Sequence, residues 1–281
     1  SHRSWSPTSL SGLSVNYVHG GYRLRSPFNS FDDENYTNAC VDDLVQVFDM
    51  MTSGDVAAMI AEPIQGVGGF ATPPDGFFGA MKKELDNRGV LFISDEVQTG
   101  WGRTGENFWG YQAHGIVPDM MTFAKGVGNG LALGGVVGRA EVMEAMPANS
   151  ISTFGGNPIA SAGALATINY MLEHDTQKNS KEMGERLAKG ISEAVSDSSV
   201  IAETRGRGLM RAIETVIPDS IEPNAPAAGQ LMEATRAAGL LIGKGGLYGN
   251  VIRIAPPMTV TADEIDEGIA ILNEAIKDLD N

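Results

Sequence analysis

Two charged residues stand where charge is costly. Asp95 closes the run Leu91-Phe92-Ile93-Ser94-Asp95, and Lys125 follows Met120-Met121-Thr122-Phe123-Ala124 thirty positions later. Both runs read as buried strands, and a charge at the end of such a strand needs an opposite charge or strong donors around it. An anion that keeps a pyridine nitrogen protonated, with an amine that holds an aldehyde as a Schiff base, is the pair a pyridine-aldehyde cofactor requires. The plainer alternatives are a salt-bridged or turn-capping aspartate and a solvated lysine. Neither residue decides alone.

The elements around the pair give it context. Residues 8–40, rich in Ser, Asn, Gly, Pro and Tyr, read as loop, and Val41–Met51 reads as an amphipathic helix with Leu44, Val45, Val47, Phe48 and Met51 near helical spacing. Val56–Ala61 is a short apolar strand stopped by Glu62-Pro63. Pro74–Arg88 is helical, with Phe77, Phe78, Met81 and Leu85 on its inner face. Val90–Ser94 and Met120–Ala124 are apolar on both faces, as in a covered parallel sheet, and Gly135–Gly138 is a weaker run of the same kind.

Strand, helix, strand at this spacing predicts an α/β domain with a mostly parallel sheet and right-handed crossovers. Ligands of such sheets sit beyond the carboxyl ends of the strands. Glu62, Asp95 and Lys125 all fall there. One helix is expected over Ile159–Leu172, opened by Asn157-Pro158. After His174, helices over Lys181–Val195, Ala227–Ala238 and Ala262–Leu279 alternate with the apolar pieces Gly208-Leu209-Met210 and Val251–Ile254. The chain therefore divides into a large domain, 1–173, and a smaller α+β domain, 174–281.

Composition narrows the function classes. At 281 residues the length suggests about two domains, at one per ~150 residues. A net charge of −15 argues against nucleic acid or an anionic membrane as partner, so any anionic ligand must be caught by a local device. The single cysteine, Cys40, excludes an intrachain disulfide and a cysteine metal cluster, and reads as an ordinary thiol. No apolar run approaches the ~20 residues of a membrane span, and the opening Ser1-His2-Arg3-Ser4-Trp5-Ser6-Pro7 lacks the apolar stretch of a signal peptide. His114 and His174 have no metal or triad partners at recognisable spacing. The glycines at 126, 128 and 130 lack the strand–turn–helix context of a nucleotide loop.

The ordered set Glu62-Pro63-Ile64-Gln65-Gly66, Asp95-Glu96-Val97-Gln98-Thr99-Gly100, Ala124-Lys125-Gly126 and Ser152-Thr153-Phe154-Gly155-Gly156-Asn157-Pro158 resembles the class III aminotransferases, pyridoxal 5'-phosphate enzymes of fold type I. Within them, Asn107–His114, Ala124–Gly130 and Ile252-Arg253-Ile254-Ala255-Pro256-Pro257 look most like the alanine–glyoxylate aminotransferase 2 group. The likeness runs from about Ser6 to the C-terminus. It implies ping-pong exchange of an amino group between an alanine-like donor and a 2-oxo acid such as glyoxylate or pyruvate. It also implies a homodimer, with a tetramer as a further step, in the cytoplasm or, in a eukaryote, the mitochondrial matrix.

The resemblance assigns roles. Lys125 would carry the cofactor and shuttle the proton, and Asp95 would pair with the ring nitrogen. Gln98 would bond the ring hydroxyl oxygen, and Val97 would pack on a ring face. Thr153 would reach the phosphate in the neighbouring subunit, and Arg253 would grip the substrate carboxylate; its plain alternative is an outward-facing surface ion pair. Many relatives carry a glutamate where this chain has Val67, and that glutamate gates the arginine, so Arg253 should stand open to an α-carboxylate here. The family's Gly-Ser/Thr phosphate loop lies upstream of anything present. Arg3-Ser4-Trp5 stands where relatives have Tyr-His-Gly; a missing stretch of chain is the simpler account, and His2 or Trp5 as a substitute stacker is the alternative. The chain thus reads as the carboxyl-terminal two-thirds of such an enzyme, and alone it is expected to hold the cofactor weakly or not at all. The other readings are a 4-aminobutyrate or ω-amino acid aminotransferase and a non-catalytic dimerising remnant.

Overall fold

The computed structural model describes residues 15–147 and 151–279. His2 and Trp5 lie outside them. The chain forms two compact units. The first holds the chain up to Pro63, Pro73–Gly100 and Trp109–Tyr170; the second holds Ile64–Thr72, Trp101–Phe108 and the chain from Met171.

The first unit opens with helix α1 (Asp33–Met51), which begins well before the expected Val41. The reason is its cap. The Asp32 side chain accepts from the Asn35 N–H at 2.8 Å, and Asp33 and Glu34 place negative charge on the first turn. Tyr36, Cys40, Leu44 and Phe48 then recur every fourth residue as the buried stripe. Strands β1 (Ala58–Ala61), β2 (Leu91–Asp95), β3 (Met120–Phe123) and β4 (Gly135–Gly138) lie in that order in one sheet. The first three are parallel, and β4 runs antiparallel to β3. Helix α2 (Phe77–Asn87) buries Phe77, Phe78, Met81 and Leu85 in one core with the α1 stripe and Phe92. A short helix α3 (Ala140–Met143) follows β4, and α4 (Pro158–Glu173) opens with the Asn157 Oδ1 accepting from the Ala160 N–H at 3.0 Å.

The second unit is a separate α+β layer. Strands β5 (Ile201–Arg207), β6 (Met210–Thr215), β7 (Gly243–Gly245) and β8 (Val251–Ile254) form an antiparallel sheet in the order β5-β6-β8-β7. Helices α5 (Thr176–Ala194), α6 (Ala225–Ala237) and α7 (Ala262–Lys277) pack on it around Leu187, Ile191, Ile213, Leu231, Ile252 and Leu272. Helix α7 starts with a capping box, Thr261 and Glu264 each bonding the other's backbone N–H. No helix among the described residues is long and apolar enough to cross a membrane.

Candidate active site

The carboxyl ends of β1, β2 and β3 carry the residues singled out by their chemistry. Glu62 follows β1, Asp95 ends β2 beside Thr122 of β3, and Lys125 comes two residues after β3. The strands are parallel neighbours, so one edge of the sheet presents all three.

Asp95 is half-buried, and its Oδ1 accepts from the Val97 N–H at 3.1 Å, which turns the chain sharply as the strand ends. Val97 and Gln98, both half-buried, lie on that turn. Among the described residues Gln98 has no hydrogen-bond partner for its amide, which leaves it for a ligand. Lys125 is exposed and stands at φ 48°, in the left-handed region. A lysine held there costs about 1–3 kcal/mol, and such strain concentrates at functional sites. It opens a 3-10 turn, Lys125–Gly128, whose Val127 is buried as an anchor.

Sequence reasoning missed Glu96. It is fully buried, and each carboxylate oxygen takes one hydroxyl and one backbone N–H. Oε1 accepts from Ser94 Oγ at 3.0 Å and the Tyr111 N–H at 2.8 Å; Oε2 accepts from Thr99 Oγ1 at 2.6 Å and the Gly110 N–H at 2.8 Å. Burial pushes this carboxyl above its ordinary value while the four donors pull against it. Glu96 thus pins the Asp95–Gly100 turn to the 3-10 turn Gly110–His114. Only glycine fits at 110, where a Cβ would meet Thr99 Cβ at 2.7 Å and Pro63 Cβ at 2.8 Å. The available signal was alternation: Ser94 and Glu96 fall on the buried face of a strand that shows Asp95 and Val97 on the other.

Thr153 is exposed on the turn before α4. His114 is a core residue, edge-on to Phe78 at 4.9 Å, and His174 is exposed. Cys40 is buried, which pushes its thiol up to about 11 and leaves it a core residue. No cluster of metal-ligating side chains occurs among the described residues.

Arg253 belongs to the second unit, on β8. It is half-buried, and its two terminal nitrogens donate to the carbonyls of Gly66 at 3.3 Å and Lys244 at 3.2 Å. Among the described residues no carboxylate lies within ion-pair distance of it, so the outward ion pair is not formed. Val67 is exposed and its carbonyl accepts from the Gly246 N–H at 3.0 Å.

The family model "Aminotransferase class-III" matches residues 6–276. The chain belongs to the class III aminotransferases. An Arabidopsis thaliana protein, mitochondrial alanine–glyoxylate aminotransferase 2 homolog 2, is 39% identical over 244 residues, covering 86% of this chain and 50% of that protein. The 4-aminobutyrate aminotransferase of Mycobacterium leprae is 41% identical over 226 residues, covering 80% and 50%. The chain thus spans about half the length of the curated relatives it matches. A solved amine transaminase from an uncultivated Pseudomonas species, in its PLP-bound internal aldimine form, has a TM-score of 0.85 at 30% identity, over 93% of this chain and 61% of that chain. The fold is that of the fold type I transferases, mixed α/β with a parallel-containing sheet.

Class III aminotransferases depend on pyridoxal phosphate. The donor set in this chain fits that group: a carboxylate, an unengaged amide, an apolar side chain and a primary amine, all at one end of a parallel sheet. The two relatives differ in substrate by name, so family membership does not fix the substrate.

Proposed function

We propose that this protein carries out pyridoxal-phosphate-dependent transamination between an alanine-like amino acid and a 2-oxo acid such as glyoxylate or pyruvate. When bound, the cofactor supplies an electron sink for charge developing at the substrate α-carbon. Asp95 would hold the proton on the ring nitrogen, Gln98 would donate to the ring hydroxyl oxygen, and Val97 would cover a ring face. Lys125 would hold the cofactor's aldehyde through Nζ and would also be the group that moves a proton to and from the substrate α-carbon. Thr153, exposed on its turn, would donate to the phosphate of a neighbouring subunit's cofactor, which makes a homodimer the working unit. The large domain would end at residue 173. The compartment we infer is the cytoplasm, or the mitochondrial matrix where the source is eukaryotic.

One observation supports the choice of donor. Arg253 is a half-buried guanidinium tethered by carbonyls, with no carboxylate to neutralise it among the described residues and Val67 where a gating acid would stand. A carboxylate-bearing substrate is what such a group takes. 4-Aminobutyrate also carries a carboxylate, so the second reading is an ω-amino acid aminotransferase. Half-reactions with alanine and with 4-aminobutyrate, followed by the cofactor's absorbance, separate the two; faster turnover of 4-aminobutyrate would reverse the order. Borohydride reduction of the full-length protein, supplemented with cofactor, with the adduct mapped by peptide mass spectrometry, should mark Lys125. An unmarked Lys125 would leave only the non-catalytic remnant.

A further inference from the structure

Phe70 is one of the second unit's non-glycine residues in the left-handed region, and a buried one. It is 3 % exposed, yet its backbone stands at φ 52°, a conformation bulky residues rarely adopt. The loop holding it is fixed from several sides. Gln65 N donates to Ala71 O at 3.0 Å, and Arg205 Nε donates to Gly69 O at 3.0 Å. Arg205 is itself bound by the fully buried Glu214 at 2.6 Å. A strained residue over-determined by its surroundings points to a task for its side chain.

That side chain lies against Arg253. The guanidinium carbon stands 5.7 Å from the Phe70 ring centroid, within cation–π range. Arg253 Nε is buried and has no hydrogen-bond partner. It is crowded by Gly245, where a Cβ would approach Nε to 2.6 Å. The edge left for a ligand is therefore the terminal pair, Nη1 and Nη2, each of which spends one hydrogen on a carbonyl and keeps one. Two parallel N–H groups at that edge match the two oxygens of a carboxylate.

We propose that Phe70 is a specificity-determining positioning residue. The strained loop lays its ring against Arg253 and so presets the guanidinium for a carboxylate before one arrives. The proposal rests on the reading of Arg253 as the carboxylate-binding group. An arginine left to sample its rotamers must lose that freedom on binding; one already stacked does not.

The test uses the full chain with propionate, a carboxylate with no amine, titrated by ligand-observed NMR, and pyridoxal phosphate titrated by absorbance. F70L and F70M keep most of the side-chain volume and remove the ring. Each should raise the propionate Kd about fivefold, or ~1 kcal/mol, with the pyridoxal phosphate Kd unchanged. Unchanged propionate affinity in a folded variant, or an equal loss for both ligands, overturns the proposal. If neither variant folds, the parent protein decides: a guanidinium already held by the ring keeps its Arg253 side-chain 15N relaxation unchanged when propionate is added, and a side chain that becomes ordered only on binding overturns the proposal. R253Q separates the two readings: if it leaves propionate binding intact, the Arg253 reading falls and the proposal with it. If R253Q loses propionate while F70L does not, only the Phe70 proposal falls.

Discussion

Asp95 and Glu96 are neighbours in sequence with opposite fates, and the contrast shows what a single residue can be asked. Asp95 stands at a strand end with its carboxylate on a turn, and its proposed work is electrostatic. D95N keeps the shape and deletes the charge, so the rate of the alanine half-reaction should fall on the order of 100-fold, as for other groups that hold a proton in place. Rapid-scan absorbance would record it, and a near-normal rate would remove Asp95 from the mechanism. Glu96 is different: two hydroxyls can rotate, but the Gly110 and Tyr111 N–H groups cannot. An amide in its place accepts at one end only and turns its own NH2 toward one of them. E96Q should therefore lower the unfolding free energy by about 1–3 kcal/mol, measured by urea denaturation. The strand-end positions of Asp95 and Lys125 were legible because a charge interrupts an apolar run. Glu96 was not, because the two backbone donors that satisfy it lie fourteen and fifteen residues away.

At the scale of elements, the sheet is stitched at the ends opposite the proposed site. Asp119, just before β3, accepts from the Phe92 N–H of β2 at 2.9 Å and from Arg139, just after β4, at 2.8 Å, with Lys82 of α2 at 3.5 Å. Burial alone would raise this carboxyl, but the Phe92 amide, Arg139 and Lys82 bring it below its ordinary value. A carboxyl lowered by folding stabilises above its unfolded value of ~3.9 and loses that contribution as pH falls through the lowered folded value. D119N should cost about 1–3 kcal/mol at pH 7, and thermal melts of mutant and parent should converge in acid well below pH 4. A constant gap down to pH 2 would contradict the assignment. The strands of this first sheet were legible, each within a residue or two, because apolar runs bounded by Glu62-Pro63 and Asp95 leave little choice, whereas β5 and β7 of the second sheet, mixed in polarity or glycine-rich, were not. The direction of β4 was not. A four-residue run shows no polarity, and only the short link Ala124–Gly134, which holds one 3-10 turn and no α-helix, excludes a parallel crossover. The start of α1 was obscured because its first turns are polar and its cap lies in a stretch rich in turn formers.

At the scale of the whole molecule, the question is whether one chain completes the proposed site. A net charge of −15 repels anions, so phosphate and carboxylate must be caught by particular groups, and Arg253 and Thr153 are the proposed captors. If Thr153 serves the neighbouring subunit's cofactor, each active site draws Lys125 from one chain and Thr153 from the other. Two defective chains can then repair each other. K125A lacks the amine but still lends Thr153, whereas T153A keeps the amine and fails only its partner. Mixed in equal amounts and allowed to exchange subunits, they should yield mixed dimers with one intact site each, about a quarter of the parent activity at limiting cofactor. Each variant alone should show far less. Activity that never rises above that of T153A by itself would mean that Thr153 serves its own chain or that no such dimer forms. The same mixture with D95N in place of T153A is the control. Asp95 and Lys125 share one sheet edge within one unit, so those two defects should not complement.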